Sequence, residues 1–288
     1  MKYILGNKKR KNKLIFDTEK EPMILASIGA SDSDDSIEEE FQKALLAEKY
    51  GANIVIDHTM TPRHYELQKR ILDNTNIMLS SIAVYDLAAM KKYENKPYFT
   101  KNDVINGFKE KAKLGLDFIT IHATILYEDL SFLSNNDRIM TCTSRGGTMV
   151  ARNMLATGEE NYYWTYFDEI LEIAKEYNVT ISLGNNLRAA NISDFANKNS
   201  IYWKEVDRQA VLCKKAIDKG VNIIVEGIGH CPINLIPFAV KTAMEKCHGV
   251  PYRVLTVATD NALGFDHISS SIASSIAVMN GASFITAV

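Results

Sequence analysis

Four of the six histidines in this 288-residue chain stand where short apolar runs give way to polar residues: His58, His122, His230 and His267. Acids, amides and hydroxyls accompany them. Asp57 precedes His58, Glu226 stands four residues before His230, and Asp266 precedes His267. Ser80, Ser81 and Tyr85, then Asn185, Asn186 and Arg188, then Asp260 and Asn261, occupy equivalent places after other runs. Imidazole and carboxylate suit ligation of zinc or iron and also general acid–base transfer. One histidine so placed is as readily a hydrogen-bonded structural residue; four beside acids define a candidate site, with Glu226, His122, Asp266 and His267 as its catalytic candidates. Ser144-Arg145-Gly146-Gly147 precedes a helical pattern at 148–156. Glycines ahead of a helix let backbone N–H groups face an anion, and the arginine adds a forked donor; an ordinary turn is the alternative. Gly227, Gly229 and Pro232 around His230 form a rigid turn that either aims the imidazole or ends a strand.

These residues need a scaffold that gathers loop ends on one rim. Eight β-branched apolar runs recur, at 23–28, 53–57, 78–84, 117–123, 180–183, 222–226, 254–258 and 282–288. Helical patterns separate them: one opened by Ser36 and Glu39 and running to about residue 50, then 63–73, 101–114, 163–177, 206–219, 235–246 and 267–280. Gly51, Gly115, Gly220 and Gly281 each follow a helical pattern and precede a strand, as C-cap glycines do. Continuously apolar strands fit a parallel sheet covered on its outer face. Eight strand–helix repeats predict an α/β fold of the (β/α)8 TIM-type barrel, in which functional groups collect where strands end. No GxGxxG turn follows the first strand, which counts against an open doubly wound sheet. The expected organisation is an N-terminal basic arm over 1–22, solvated around Lys8-Lys9-Arg10-Lys11, and one barrel over 23–288. The polar stretch 185–204 reads as a long loop. The sequence stops at the eighth strand, so the eighth outer helix is expected to be missing and the strand to need a cover.

Composition narrows the partners. Thirty-three basic against 35 acidic residues give a net charge of −2, so no global field recruits nucleic acid or anionic lipid. No run approaches the ~20 apolar residues of a membrane span, and no secretion signal opens the chain. The four cysteines, Cys142, Cys213, Cys231 and Cys247, form no CxxC pair. They read as free thiols of a cytoplasmic protein.

Six segments in this order resemble the ThiC family of phosphomethylpyrimidine synthases: SIGASDSDDSIEEE (27–40), FITIHA (118–123), SRGGTMVARNML (144–155), FDEILEIAKEYNVTISLGNNLR (167–188), EGIGHCP (226–232) and GFDHISSSIASSIAVMNGASF (264–284). The resemblance runs from about residue 23 to the end of the sequence. It implies a radical S-adenosylmethionine lyase of thiamine biosynthesis, which rearranges aminoimidazole ribotide with the help of a [4Fe-4S] cluster, S-adenosylmethionine and a divalent metal, zinc or iron. Position by position, it implies substrate contacts at Tyr85, His122, Ser144, Arg145, Gly146, Leu187, Arg188 and Glu226, with Asn185 and Asn186 in the same segment, and a metal ligand at His230.

The sequence departs from the family pattern at defined places. Ser27 replaces Asn, Ile56 replaces Met, Asn185-Asn186 replaces Asp-Gly, and Arg253 stands at a substrate-contacting Tyr position. The family's second metal-ligand histidine follows the eighth strand, and its cluster cysteines form CxxCxxxxC; neither motif occurs in this sequence. The expectation is therefore a barrel that binds a phosphorylated imidazole nucleotide and obtains its cluster from a partner, as a homodimer or a heteromer with a full-length ThiC-like chain. A paralogue with a benzimidazole-type product, or a non-catalytic ribotide-binding subunit, is the alternative. A site-differentiated cluster needs three nearby thiolates. Anaerobic reconstitution of this chain alone is expected to leave iron and sulfide well short of one [4Fe-4S] cluster per chain, checked by elemental and sulfide analysis.

Overall fold

Each of eight strands pairs in parallel with the next, and the last returns to the first, closing a barrel. The structure, a computed structural model, describes residues 2–18, 21–31, 36–134, 138–196, 201–255 and 264–287. A hairpin comes first, β1 (Lys2–Leu5) and β2 (Leu14–Asp17), followed by β3 (Met23–Ile28), α1 (Ile37–Lys49), β4 (Ile54–Asp57), α2 (His64–Asn74) and β5 (Met78–Ile82). Then come α3 (Ala83–Tyr93), α4 (Lys101–Leu114), β6 (Phe118–Ile121), α5 (Leu130–Ser134), α6 (Arg145–Thr157), α7 (Tyr162–Thr165), α8 (Phe167–Tyr177) and β7 (Thr180–Leu183). The chain continues through α9 (Ile192–Ala196), α10 (Ile201–Lys219), β8 (Ile223–Gly227), α11 (Ile236–Lys246), β9 (Tyr252–Val254), α12 (Asp266–Met279) and β10 (Phe284–Ala287).

Alternation along the strands sorts the side chains into an outer and an inner set. Val55, Leu79, Ile119, Ile181, Ile223 and Val225 point outward into the core shared with the helices. Leu25, Ile54, Ile56, Met78, Phe118, Ile224 and Phe284 point inward and fill the N-terminal half of the barrel. One step further along, the inward residues turn polar. Register places Ser80 beside Phe118 and Thr120 beside Ser182; Glu226 pairs with Arg253, which in turn pairs with Phe284. The interior is thus apolar at one end and polar at the other, the end where strands lead into loops.

Residues 2–17, expected as a solvated basic arm, instead close the apolar end. Leu5 and Phe16 of the hairpin are buried against that inner layer, and the Phe16 ring lies 4.8 Å from the Phe284 ring. The basic residues are tied down as well. Arg10 donates to the carbonyls of Leu72 (3.1 Å) and Ile77 (2.6 Å), and Lys8 lies over the Tyr177 ring. Asn7 bridges the carbonyls of Ala112 and Leu116, while its N–H donates to Asp117 at 2.9 Å. The apolar residues Leu5 and Phe16, rather than the charge run, decide where this segment goes.

Other boundaries also moved. The third strand, expected to reach 84, ends at Ile82, and the unanticipated α3 begins at the next residue without a side-chain cap to mark the change. The stretch 185–204 holds α9 and the start of α10. The seventh strand, expected at 254–258, lies at Tyr252–Val254, because Arg253 is accommodated inside the barrel by Glu226; residues 256–263, including Asp260 and Asn261, lie outside those described. Among the described residues no helix follows β10. Beside that strand a groove of about 700 Å³ runs along α12, and Ile268 and Ile272 of α12 are exposed. No described helix is long and apolar enough to cross a membrane.

Truncating a large buried aromatic costs about 3–5 kcal/mol. Phe16→Ala is expected to lower unfolding stability by that amount, read from denaturant midpoints. An unchanged midpoint would mean that the hairpin does not plug the barrel.

Candidate active site

At the polar end, the mouth of the barrel opens into a cleft of about 530 Å³ whose lining includes His58, Tyr85, Thr143, Arg145 and Arg188. His58 follows β4, Tyr85 lies in the first turn of α3, Arg145 opens α6, and Arg188 lies in the loop after β7. Arg145 holds its guanidinium 5.8 Å from the centre of the Tyr85 ring. Arg188 donates to the carbonyl of Asn185 at 2.7 Å. On the β3 side, the Gly29 N–H donates to the buried carboxylate of Glu40 at 2.6 Å, and Glu40 pairs with Lys43 at 2.5 Å.

The SRGG segment forms the N-terminus of α6. The Ser144 hydroxyl accepts the Gly147 N–H at 3.1 Å, so Ser144 serves as the helix cap. Gly146 is required for space: a Cβ there would lie 2.2 Å from Cε1 of His122, and one on Gly184 would lie 3.0 Å from its Nε2. His122 therefore sits in a slot between two glycines. Its ring is fully buried, and burial, reinforced by Arg188 and Arg253, pushes its pKa down to about 3. Burial and then Arg253 push His58 down to about 4. Both are neutral imidazoles at physiological pH. Nδ1 of His122 and Nε2 of His58 have no hydrogen-bond partner among the described residues.

The loop after β7 is held from behind by Glu205 of α10, which the sequence reading missed. Glu205 accepts the N–H groups of Asn186 and Leu187, both at 2.6 Å, together with the Asn186 side chain (2.7 Å) and the Thr124 hydroxyl (2.7 Å). Burial pushes its carboxyl up, against the pull of those bonds. Asn186 and Leu187 thus anchor the loop, Leu187 within the core. Asn185 differs: neither polar atom of its buried side-chain amide has a partner among the described residues. No pattern in the sequence marks Glu205, which falls between the stretch read as loop, 185–204, and the helical pattern at 206–219.

Glu226 on β8 and Arg253 on β9 face each other across the register, 2.5 Å apart. The Thr286 hydroxyl accepts from Nε of Arg253 at 2.9 Å. Both are buried inside the barrel at its polar end, and their charges act on His58.

Two expected residues line a different groove, and a third sits on the turn where it was expected. Asp266 and His267 are exposed in the first turn of α12 and line the groove beside Ile285, Thr286 and Ala287 rather than the 530 Å³ cleft. His230 is half-buried on the turn after β8, where its N–H donates to the Ala189 carbonyl at 3.1 Å and Ile228 and Gly229 adopt positive φ. Among the described residues, no three His, Cys, Asp or Glu side chains converge as a metal ligand set. The four cysteines are free, with Cys213, Cys231 and Cys247 buried. The donors among the described residues fit neither a divalent metal nor a [4Fe-4S] cluster. The chemistry open to these residues is binding, orientation and the handling of protons.

Fold and site together define a (β/α)8 barrel whose mouth carries two arginines, neutral imidazoles and a buried ion pair. Residues 3–288 match the Radical SAM ThiC family, and the chain belongs to that family. It is 37% identical over 263 residues to phosphomethylpyrimidine synthase 2 of Methanosarcina barkeri, covering 91% of this chain and 60% of that protein. It is 35% identical over 265 residues to the phosphomethylpyrimidine synthase of Thermodesulfovibrio yellowstonii, covering 91% of this chain and 62% of that one. The chain thus spans about 60% of the length of these relatives. Among solved structures, dihydropteroate synthase of Stenotrophomonas maltophilia with active site-bound imidazole superposes with a TM-score of 0.57 at 12% identity, covering 94% of this chain and 88% of that one. The Yersinia pestis dihydropteroate synthase gives 0.56, also at 12%, covering 98% and 90%. These two share the barrel fold.

The buried imidazole makes stability depend on pH in a definite direction. In the unfolded chain a histidine takes up a proton near pH 6.5, whereas folded His122 resists until about pH 3. Stability is therefore full above pH 6.5 and declines as pH falls from 6.5 toward 3. The total loss from this residue is on the order of 4 kcal/mol. Melting temperatures between pH 7 and 4 are expected to fall less steeply in His122→Asn than in the parent; parallel curves would show that His122 is not held neutral.

Proposed function

We propose that the mouth of this barrel binds a phosphorylated aminoimidazole nucleotide of the aminoimidazole ribotide class and serves the thiamine-pyrimidine chemistry of its family. The observation that carries this reading is the pairing of a cationic rim with an unsatisfied polar floor. Arg145, Arg188 and the N-terminus of α6 suit a phosphate dianion. Deeper in, the unpartnered nitrogens of His58 and His122 and the free amide of Asn185 suit the edges of a polar heterocycle. Buried polar groups without partners are costly, and a ligand that supplies the missing bonds recovers that cost. Glu226 offers a carboxylate oxygen to the ligand's amino group.

In this reading the chain supplies binding and orientation for a carbon–carbon lyase or rearrangement. The cluster and S-adenosylmethionine are then brought by a partner, either a second copy or a full-length ThiC-like chain, in the cytoplasm. A second reading, a paralogue with another product, is favoured by one observation: Arg253 occupies the floor beside Glu226.

Calorimetry with aminoimidazole ribotide tests the proposal. Charge-assisted bonds of about 1.5–3 kcal/mol imply that Arg188→Ala weakens binding by roughly one to two decades. No affinity in the parent protein, or equal affinity in the variant, would remove the reading.

A further inference from the structure

The buried guanidinium of Arg253 has more donors than the protein uses. Its side chain is 3% exposed, and that of its partner Glu226 is 7% exposed. Nη1 donates to Glu226 Oε1 and Nε to the Thr286 hydroxyl. Nη2 has no partner among the described residues. On the other side of the pair, Glu226 Oε2 receives, among the described residues, only a long 3.4 Å contact from the Asn185 N–H, and the Asn185 side chain is buried with neither polar atom bonded to a described residue. The deepest part of the site therefore holds, side by side, an anionic acceptor and a cationic donor that are each half-satisfied.

Removing two charges from water costs several kcal/mol per ion, and only close geometry and further hydrogen bonds offset that cost. A ligand that completes this pair needs a donor for Glu226 Oε2 and, next to it, an acceptor for Arg253 Nη2. An amino group alone meets the first need and leaves the second. An amino group with a carbonyl oxygen on the neighbouring ring carbon meets both. Its NH2 faces the carboxylate and its oxygen takes the guanidinium N–H, while Asn185 can read either atom.

We propose that Arg253 is a specificity-determining residue that selects imidazole ribotides carrying a carbonyl oxygen, of a carboxamide or a carboxylate, adjacent to the amino group. This rests on the ribotide reading above and narrows its substrate class. It also gives the buried ion pair a role that packing alone does not require, since well-packed apolar residues often replace such pairs at no loss of stability.

The experiment measures the affinities of the whole chain for three ligands: aminoimidazole ribotide, its 4-carboxamide and its 4-carboxylate. In the parent protein at least one carbonyl-bearing ligand is expected to bind about 10- to 100-fold more tightly than the unsubstituted ribotide, the range of one added charge-assisted hydrogen bond. Which of the two gains more tells a neutral oxygen from an anionic one. Arg253→Met is expected to abolish that preference, so that the carbonyl-bearing and unsubstituted ribotides bind the variant within a few-fold of one another. Because that variant strands the Glu226 carboxylate, Arg253→Met/Glu226→Gln serves as a second form in which neither charge is buried, and it too is expected to lose the preference. If the unsubstituted ribotide binds as tightly as both carbonyl forms in the parent, or the double variant keeps the parent's preference, the role of Arg253 is refuted and the ribotide reading stands. If none of the three ligands binds the parent, the ribotide reading itself falls, and this inference with it.

Discussion

A closed eight-stranded barrel gives every second side chain of every strand no place to go but inward, into a space only wide enough for side chains. The rest of this structure follows from how that space is filled. Apolar residues occupy the N-terminal half, where Leu25, Ile54, Met78, Phe118, Ile224 and Phe284 interlock. Polar residues occupy the other half, and there the protein accepts a standing cost. The hydroxyls of Thr120 and Ser182 and the amide of Asn185 are buried without partners. Unmade hydrogen bonds of this kind cost about 1–3 kcal/mol each. A fold keeps such a set where something else completes the bonds.

The two halves depend on each other. An apolar layer open to water at the bottom would be a liability, and the hairpin carrying Leu5 and Phe16 covers it. Arg10 and Asn7 then satisfy carbonyls at the ends of α2 and α4 that the barrel leaves over. With the bottom sealed and packed, the polar end is freed from supplying stability and can hold an unsaturated site. Glu205 plays the same part for the rim. By accepting two consecutive backbone N–H groups it fixes the loop after β7, so that Arg188 reaches the cleft from a rigid base.

The barrel was legible in the sequence because most of its strands are apolar on both faces over their first half, and eight strand runs separated by helical patterns leave few other architectures. The rim was legible wherever the chain changes from apolar to polar at a strand end, as at His58, His122 and Glu226. Two kinds of feature escaped. One is a boundary with no polar punctuation, as between β5 and α3, where Ile82, Ala83 and Val84 run on unbroken. The other is any residue whose meaning lies in a distant partner. Arg253 reads as an interruption of a strand until Glu226 is seen opposite it, and Lys8 and Arg10 read as solvated until Tyr177, Leu72 and Ile77 meet them. Asp266 and His267 line a second groove, beside the end of β10, and the sequence does not tell that groove from the cleft.

Charge balance at the mouth narrows the ligand further. Arg253 is matched by Glu226 and Lys43 by Glu40, while burial keeps both imidazoles neutral. Among the described residues that line the cleft, what remains unmatched is the charge of Arg145 and Arg188, about two positive units. A phosphate monoester near neutral pH carries roughly −1.5 to −2, which those two arginines balance. A ligand with a carboxylate in addition to its phosphate brings a further negative charge to a floor where Glu226 already stands, and desolvating that charge beside another carboxylate is unfavourable. A carboxamide oxygen accepts the spare Arg253 donor without adding charge. Between the two carbonyl-bearing ribotides, the balance of charges therefore favours the amide.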